Sequence, residues 1–280
     1  MEKIALVADS TCDLNKEQIE KNNVKILPLK IVYKDREYTD RVDITPQEVY
    51  DNMKIEVPTT SLPSMEEIDS MFSYLKEEGY THVIAVTISS GLSGTHNSIR
   101  LVSKKHPEMT YEIFDSKALS LGAGAIVMEC GRMIKEDKDF QHIVKQLPII
   151  RDKIKIFYVL DTLKYLIKGG RIGKVSGSIG QLLNLKPVIS IDNEGVYYTY
   201  TKVRGRKKSI NKLYEIMKET LEGKGGKAWV LHGGAKEEAM ELYEKVKTLP
   251  NVIMEGLSDI SPVAGVHTGP GLIGITIMEK

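Results

Sequence analysis

The chain has 280 residues, 41% hydrophobic and 28% charged, with 39 Lys and Arg against 38 Asp and Glu for a formal net charge of +1. That length allows one large domain or two modest ones with a substantial core, and the composition is that of an ordinary globular protein. The near-neutral balance argues against a general nucleic-acid footprint, which needs a strongly basic face.

In chain order, Lys3 to Ala8 predicts a strand, and Asp13 and Asn15 offer caps for a helix running to about Lys21. Val24 to Tyr33 reads as extended, followed by a polar turn at Lys34-Asp35-Arg36-Glu37. Thr45-Pro46-Gln47-Glu48 joins a capping box to a Pro at the first helical position. Ser64-Met65-Glu66-Glu67 is a second capping box, and Ile68, Met71, Phe72 and Leu75 on one face of its helix are expected in the core. Strands at 82–88 and 110–114 flank a helix that starts near Ser93, and two helical stretches fill roughly 120–150. Such alternation implies a parallel sheet covered on both faces, with ligands beyond the carboxyl ends of its strands. Asp9-Ser10-Thr11, Ser89 to Ser93 and Asp115-Ser116 all fall at such ends, which gathers three hydroxyl-bearing loops on one edge.

The second half is more mixed. Ile154 to Leu160 predicts a strand, then Leu163 to Ile167 one or two helical turns ending at Gly169-Gly170. Pro187 to Ile191 and Val196 to Thr201 form a hairpin across Asp192-Asn193-Glu194-Gly195. A helix over about 207–222, a strand at Ala228 to Leu231, a helix at 235–247 and extended segments near 252–256 and 271–278 follow. The expected fold is α/β with two α/β domains, 1–150 and 151–280. The first has a mostly parallel sheet flanked by helices and the second a mixed sheet with helices, the ligand site lying between or beside them.

Cys12 and Cys130 stand far apart in no metal-ligand spacing and read as buried thiols of a reducing compartment. The apolar run Ile4 to Ala8 is cut by Asp9, too short for a signal-peptide core. No stretch approaches the ~18 apolar residues of a membrane span. A cytoplasmic location is expected.

Thr87-Ile88-Ser89-Ser90-Gly91-Leu92-Ser93-Gly94-Thr95 is the segment that points most directly to chemistry. Free N–H groups at a helix start, the positive end of the helix dipole and several hydroxyls converge there on an anion-sized space. A turn that uses Gly for backbone freedom and Ser as an N-cap accounts for the same residues. No Walker loop, HExxH motif or Cys/His cluster at zinc spacing occurs, and no metal or cofactor is expected. The loop lacks the Lys of a P-loop and is not the Gly-x-Ser-x-Gly elbow of hydrolases. The six histidines are scattered, with His82 in or at the edge of a strand and His106 and His142 on helical surfaces.

Two basic clusters stand out. Lys164, Lys168, Arg171 and Lys174 place four charges in eleven residues with no acid among them. Lys202, Arg204, Arg206, Lys207 and Lys208 place five in seven at the start of a helix, where the dipole disfavours them. A solvated face accounts for most of these side chains, and docking of a protein or a phosphate is the functional reading.

The ordered set Asp9-Ser10-Thr11-Cys12-Asp13-Leu14, Thr60-Ser61-Leu62-Pro63-Ser64 and Ser89 to Thr95 resembles the successive signatures of DegV proteins. Lys168-Gly169-Gly170-Arg171-Ile172, Lys186-Pro187 and His267-Thr268-Gly269-Pro270-Gly271 continue the series. The resemblance covers essentially the whole chain. It implies a bacterial fatty-acid-binding protein with two α/β domains, similar to the binding subunit of fatty acid kinase, which presents the acyl carboxylate to a separate ATP-using catalytic subunit. It further implies that Thr60, Ser93 and His267 hold the carboxylate, with Ser61, Gly94, Thr95, Asp9 and Ser10 as supporting positions, and that Arg204 belongs to the kinase-docking surface. Arg171 falls in one of the motifs with no role assigned. Leu62 stands where many members carry Gln, which changes the neighbouring hydroxyl geometry.

A long-chain carboxylate needs a few polar groups at one end and an apolar tunnel behind them. Hydroxyls of Thr60 and Ser93 donate to carboxylate oxygens, and His267 supplies a third bond. About 15 buried CH₂ groups at ~0.8 kcal/mol each bound the tail's contribution near ~12 kcal/mol before ordering costs. Holding the head group by hydroxyls rather than Arg suits a carboxylate that later acts as a nucleophile. Each position also has a plainer reading: Thr60 as the residue before a helix cap, His267 as an ordinary loop histidine, Asp9 as the group that orders the loop around Ser10. The expected protein is non-catalytic, and transient membrane contact would serve lipid exchange. The enzyme alternative is a phosphate-ester or acyl-phosphate enzyme with the Ser/Gly loop as an anion cradle, marked by a Mg²⁺ requirement. Nucleic-acid binding through 202–208 would show steep salt dependence, but no aromatics interleave with those basic residues.

Overall fold

Alternating apolar residues build the first sheet in the computed structural model, which describes residues 2–178 and 185–280. Along β1 (Ile4–Asp9), Leu6 and Ala8 face one core cluster while Ala5 and Val7 face another, as the two-residue strand period requires. A 3-10 turn, Ser10–Cys12, leads into α1 (Lys16–Lys21), closed by a capping box between Asn15 and Gln18. The chain continues through β2 (Val24–Leu27), β3 (Lys30–Val32), β4 (Glu37–Thr39), α2 (Pro46–Asn52), β5 (Thr59–Ser61), α3 (Met65–Glu77), β6 (His82–Thr87), α4 (Thr95–Ser103) and β7 (Thr110–Asp115). Four strands pair in parallel in the order β2-β1-β6-β7, so the order reverses beside β1. The crevice at the carboxyl ends there is where such sheets receive ligands.

The capping boxes at Thr45 and Ser64 form as their spacing predicts. Ile68, Phe72 and Leu75 of α3 are fully buried against the parallel sheet, worth roughly 1.5–3 kcal/mol each. The extended run from Val24 to Tyr33 does not stay in one sheet. Pro28 has no N–H to continue the ladder, and the chain leaves β2 to enter β3, the centre of a separate three-stranded sheet ordered β4-β3-β5. The helix expected near Ser93 starts at Thr95, because Leu92 N and Ser93 N both donate to Ser89 O and hold a turn there. His142 is exposed on its helix and His82 opens β6, but His106 lies past the end of α4, buried against Phe72 and 3.0 Å from Asp69.

The helices α5 (Leu121–Lys135) and α6 (Phe140–Asp152) lie between this sheet and the next. α5 is apolar nearly all round, as a helix covered on both sides must be. Gly122 lets it press onto the second sheet, since a Cβ there would collide with Ile156. That sheet is built from β8 (Ile154–Val159), β9 (Leu185–Ile191), β10 (Tyr197–Arg204), β11 (Gly226–Gly233), β12 (Val252–Asp259) and β13 (Leu272–Glu279), with α7 (Lys164–Lys168), α8 (Arg206–Leu221), α9 (Lys236–Val246) and α10 (Pro262–Thr268) along the way. Its order is β10-β9-β8-β13-β11-β12, antiparallel except for the β11–β12 pair. α8 and α9 cover its far face over Ile273, Ile275 and Ile277. The fold is therefore α/β with one parallel and one mixed sheet, as expected, and a small antiparallel sheet, β4-β3-β5, that was not.

α10 has no counterpart in the sequence reading, although Ser261 as N-cap and Pro262 at the first helical position are a start signal. Its Val263 and Val266 pack among Leu29, Ile31, Val49 and Tyr50, so a helix from the end of the chain completes a core built by residues 29–53.

Candidate functional site

The loops at the sheet edge do meet, and most of their hydroxyls are committed to one another. Asp9 accepts from Thr11 N at 3.1 Å and Ile88 N at 2.7 Å, tying the end of β1 to the end of β6. Burial pushes its carboxyl up despite those bonds, and its work is to order the loop. Ser10 Oγ donates to Asp40 at 2.6 Å and accepts from Leu29 N at 3.1 Å. Ser89 Oγ donates to Gly195 O at 2.7 Å, and Ser90 Oγ bonds Asp115. An anion cradle made from the whole Ser/Gly loop is therefore not assembled. Ser93, half-buried at the loop's end, engages Thr95 Oγ1 at 2.9 Å and Thr95 N at 3.3 Å, and Thr95 is itself buried.

The second centre forms where β5 meets α10. Thr60 pairs with Ile31 across the small sheet, and its Oγ1 lies 2.9 Å from His267 Nε2. Burial, and then the nearby charge of Arg171, lower the pKa of His267 to about 4, so the ring is neutral at pH 7. Its Nδ1 is buried with no hydrogen-bond partner among the described residues, against Gly169, where a Cβ would collide with that nitrogen. Arg171 donates to Leu92 O at 3.2 Å and Gly169 O at 2.6 Å, linking the Ser93 loop to the glycine turn beside His267. Leu62 closes the circuit, its Cδ1 3.2 Å from the position of a Cβ on Gly94. Thr60 and His267 are thus in direct contact, whereas the Ser93-Gly94 segment is linked to them only through Arg171 and Leu62 and makes no hydrogen bond to either. Ser61, half-buried, pairs with Lys30 on β3. An Arg is present at this site after all, and sequence reasoning had given it no role.

An apolar cavity of about 30 Å³ lies between α10 and the mixed sheet, lined by Leu119, Ile156, Tyr158, Tyr197, Leu231, Ile260 and Leu272 together with Ala264 and Thr268 of α10. The Thr268 hydroxyl is turned to Ala264 O, which leaves the wall apolar. α10 accordingly presents His267 to Thr60, Ala264 and Thr268 to the cavity, and Val263 and Val266 to the core beneath the small sheet. The lining comes from separate segments, which no single stretch of sequence reveals.

Arg204 is exposed at the end of β10. The surrounding patch is smaller than its sequence implies, because Arg206 pairs with Glu238 at 2.7 Å and donates to Gly271 O. Lys174 of the other cluster pairs with Asp192 at 2.7 Å. Among the described residues no His, Cys, Asp and Glu cluster could hold a metal ion, and no helix is long and apolar enough to cross a membrane.

Comparison with known proteins agrees over the full length. The model of the family described as "Uncharacterised protein, DegV family" matches residues 3–280. A DegV domain-containing protein of Clostridium acetobutylicum is 57% identical over 100% of both chains. The fatty-acid-binding DegV family protein of Thermus thermophilus superposes with a TM-score of 0.93 at 29% identity, over 99% of this chain and 100% of that one. The stearic-acid-binding protein of Eubacterium ventriosum superposes with a TM-score of 0.90 at 32% identity, over 100% and 99%. With its signatures in order, its fold matched end to end and its family model spanning 3–280, the chain belongs to the DegV family.

Proposed function

We propose that this chain is a cytoplasmic, non-catalytic binding protein for a long-chain fatty acid, which it presents to the catalytic subunit of a fatty acid kinase for acyl-phosphate formation. The observation that carries this reading is α10, a single helix with a head-group partner on one side and an apolar cavity wall on another. The solved relatives named for fatty-acid binding share this fold over nearly their whole length.

In this reading the neutral ring of His267 carries its proton on Nε2 and donates to Thr60 Oγ1, which frees the Thr60 hydroxyl proton for a carboxylate oxygen. Leaving Nδ1 bare is the cheaper choice, because a lone pair without a donor costs less there than a buried N–H without an acceptor. Ser93 supplies a second hydroxyl. Arg171, held by two backbone carbonyls, adds positive potential without being part of the hydroxyl pair. The tail follows the apolar cavity. A cavity of about 30 Å³ is far below the ~300–1,000 Å³ of a ligand pocket, so loading an acyl chain requires its wall to part. Arg204, with Lys202, Lys207 and Lys208, leaves exposed cations for an acidic partner surface.

The test is thermal. Oleate or palmitate added to delipidated protein raises its melting temperature in proportion to the logarithm of free ligand, as mass action requires. No shift with either acid rejects the reading.

A further inference from the structure

The first signature of the chain, Asp9 to Asp13, contributes no atom to the Thr60–His267 pair, yet it is tied to the helix that carries His267. The first turn of α10 has three N–H groups to place, because Pro262 has none. Ser261 N donates to Asp13 Oδ1 at 2.8 Å, Val263 N to Asp40 Oδ1 at 3.0 Å, and Ala264 N to the Ser261 hydroxyl at 3.3 Å. Two of the three acceptors are carboxylates from 248 and 223 residues away. Both are about 99% buried. Each is held in turn: Asp13 by Ser120 Oγ and by Arg41 at 3.3 Å, Asp40 by Ser10 Oγ at 2.6 Å. Arg41 also reaches Asp259 O at 3.0 Å, just before α10 begins.

α10 is seven residues long, far below the length at which a helix holds its shape alone, so its placement is decided by its anchors. Carboxylates at its start give charge-assisted bonds and complement the helix dipole. At the other end Gly269, at φ 69°, lies against the ring of Tyr165, where a Cβ would collide. His267 sits in the last turn between these fixed ends. A slide or roll of the helix moves Nε2 out of reach of Thr60.

We propose that Asp13 and Asp40 are positioning residues that seat α10 and thereby hold His267 in register with Thr60, so that the Asp-Ser-Thr-Cys-Asp signature serves the head-group site from a distance. The role in binding rests on the fatty-acid reading; the seating of His267 does not.

The experiment reads His267 directly in ligand-free protein by NMR of ¹⁵N-labelled histidine, in the wild type, Asp13→Asn and Asp40→Asn. In the wild type His267 is neutral down to about pH 4. In each variant its titration moves up by a unit or more as the ring loses Thr60 and gains water. Oleate affinity falls at least tenfold. Asp69→Asn, whose partner is His106, controls for general destabilisation and leaves His267 unmoved. If an Asn variant fails to fold, Arg41→Gln at its partly exposed position carries the test, with the same shift at smaller amplitude. A lowered melting temperature with an unchanged His267 titration overturns the proposal and leaves the carboxylates as supports of the fold. A shifted His267 in the variants, with a wild type that itself takes up no fatty acid, upholds the seating and rejects the fatty-acid reading.

Discussion

Thr60 and His267 are 207 residues apart in the chain and 2.9 Å apart in the fold, one on the short strand β5 and the other on the short helix α10. Neither element is long enough to fix a side chain by itself. Their meeting depends on the core that Val263 and Val266 complete with Ile31, Val49 and Tyr50.

If that pair and Ser93 receive a carboxylate, Thr60→Val, Ser93→Ala and His267→Ala each weaken oleate binding by about 1–3 kcal/mol, the usual cost of losing a bond to a charged group. Thr60→Val and Ser93→Ala open no cavity, so both fold, and His267→Ala is compared with them at matched folded fraction. Isothermal titration on delipidated protein measures the effect, and unchanged affinity in all three places the head group elsewhere.

Gly169→Ala is a steric probe of the same ring. The backbone there, at φ −78°, accepts Ala, but the new Cβ collides with His267 Nδ1. Oleate affinity drops tenfold or more with little change in melting temperature. Wild-type affinity in this variant would mean that the ring position is immaterial.

The neutral His267 leaves a signature in stability against pH. Above pH 6.5 the ring is neutral folded and unfolded, and its contribution is fully present. As pH falls from 6.5 to about 4 the unfolded chain takes up a proton that the folded one refuses, and about 3 kcal/mol is lost at 1.36 kcal/mol per pKa unit. Asp40, which burial raises to about 6, acts with the opposite sign: its contribution is present at acid pH and lost as pH rises through 6. The wild-type curve alone therefore mixes the two. The difference between wild type and His267→Gln in denaturant unfolding isolates the histidine, and the penalty of the substitution shrinks toward the acid end of that window. A pH-independent difference contradicts the neutral, buried ring.

If Arg204 belongs to a partner-docking surface, its substitution separates binding from transfer. Exposed at the end of β10 and away from the cavity lining, it leaves lipid content unchanged when replaced by Ala. Acyl-phosphate formation with the kinase subunit and ATP, trapped with hydroxylamine, is lost, and Arg204→Glu is worse because it adds repulsion. Loss of lipid as well would assign Arg204 to the ligand site or the fold; full turnover in both variants would leave it a solvated surface residue.

What the sequence made legible was local. The capping boxes at Thr45 and Ser64 and the buried face of Ile68, Phe72 and Leu75 need only neighbours a few residues away. The split between β2 and β3 was hidden because both halves are apolar and extended, and only their partners differ. α10 was hidden by its shortness and by the glycines that follow it. Arg171 could not be placed because its partners, Leu92 O and Gly169 O, are backbone atoms that any residue carries. The hydroxyls of Ser10, Ser89 and Ser90 looked available in sequence and are spent on tertiary bonds.

The central claim is that this chain holds a fatty acid, and the most direct measurement is mass spectrometry of the purified protein, native and after organic extraction. The account predicts a long-chain fatty acid at up to one molecule per chain, released on denaturation and reduced in His267→Ala. Protein that carries no lipid in either measurement, and takes up none when incubated with oleate or palmitate, contradicts it.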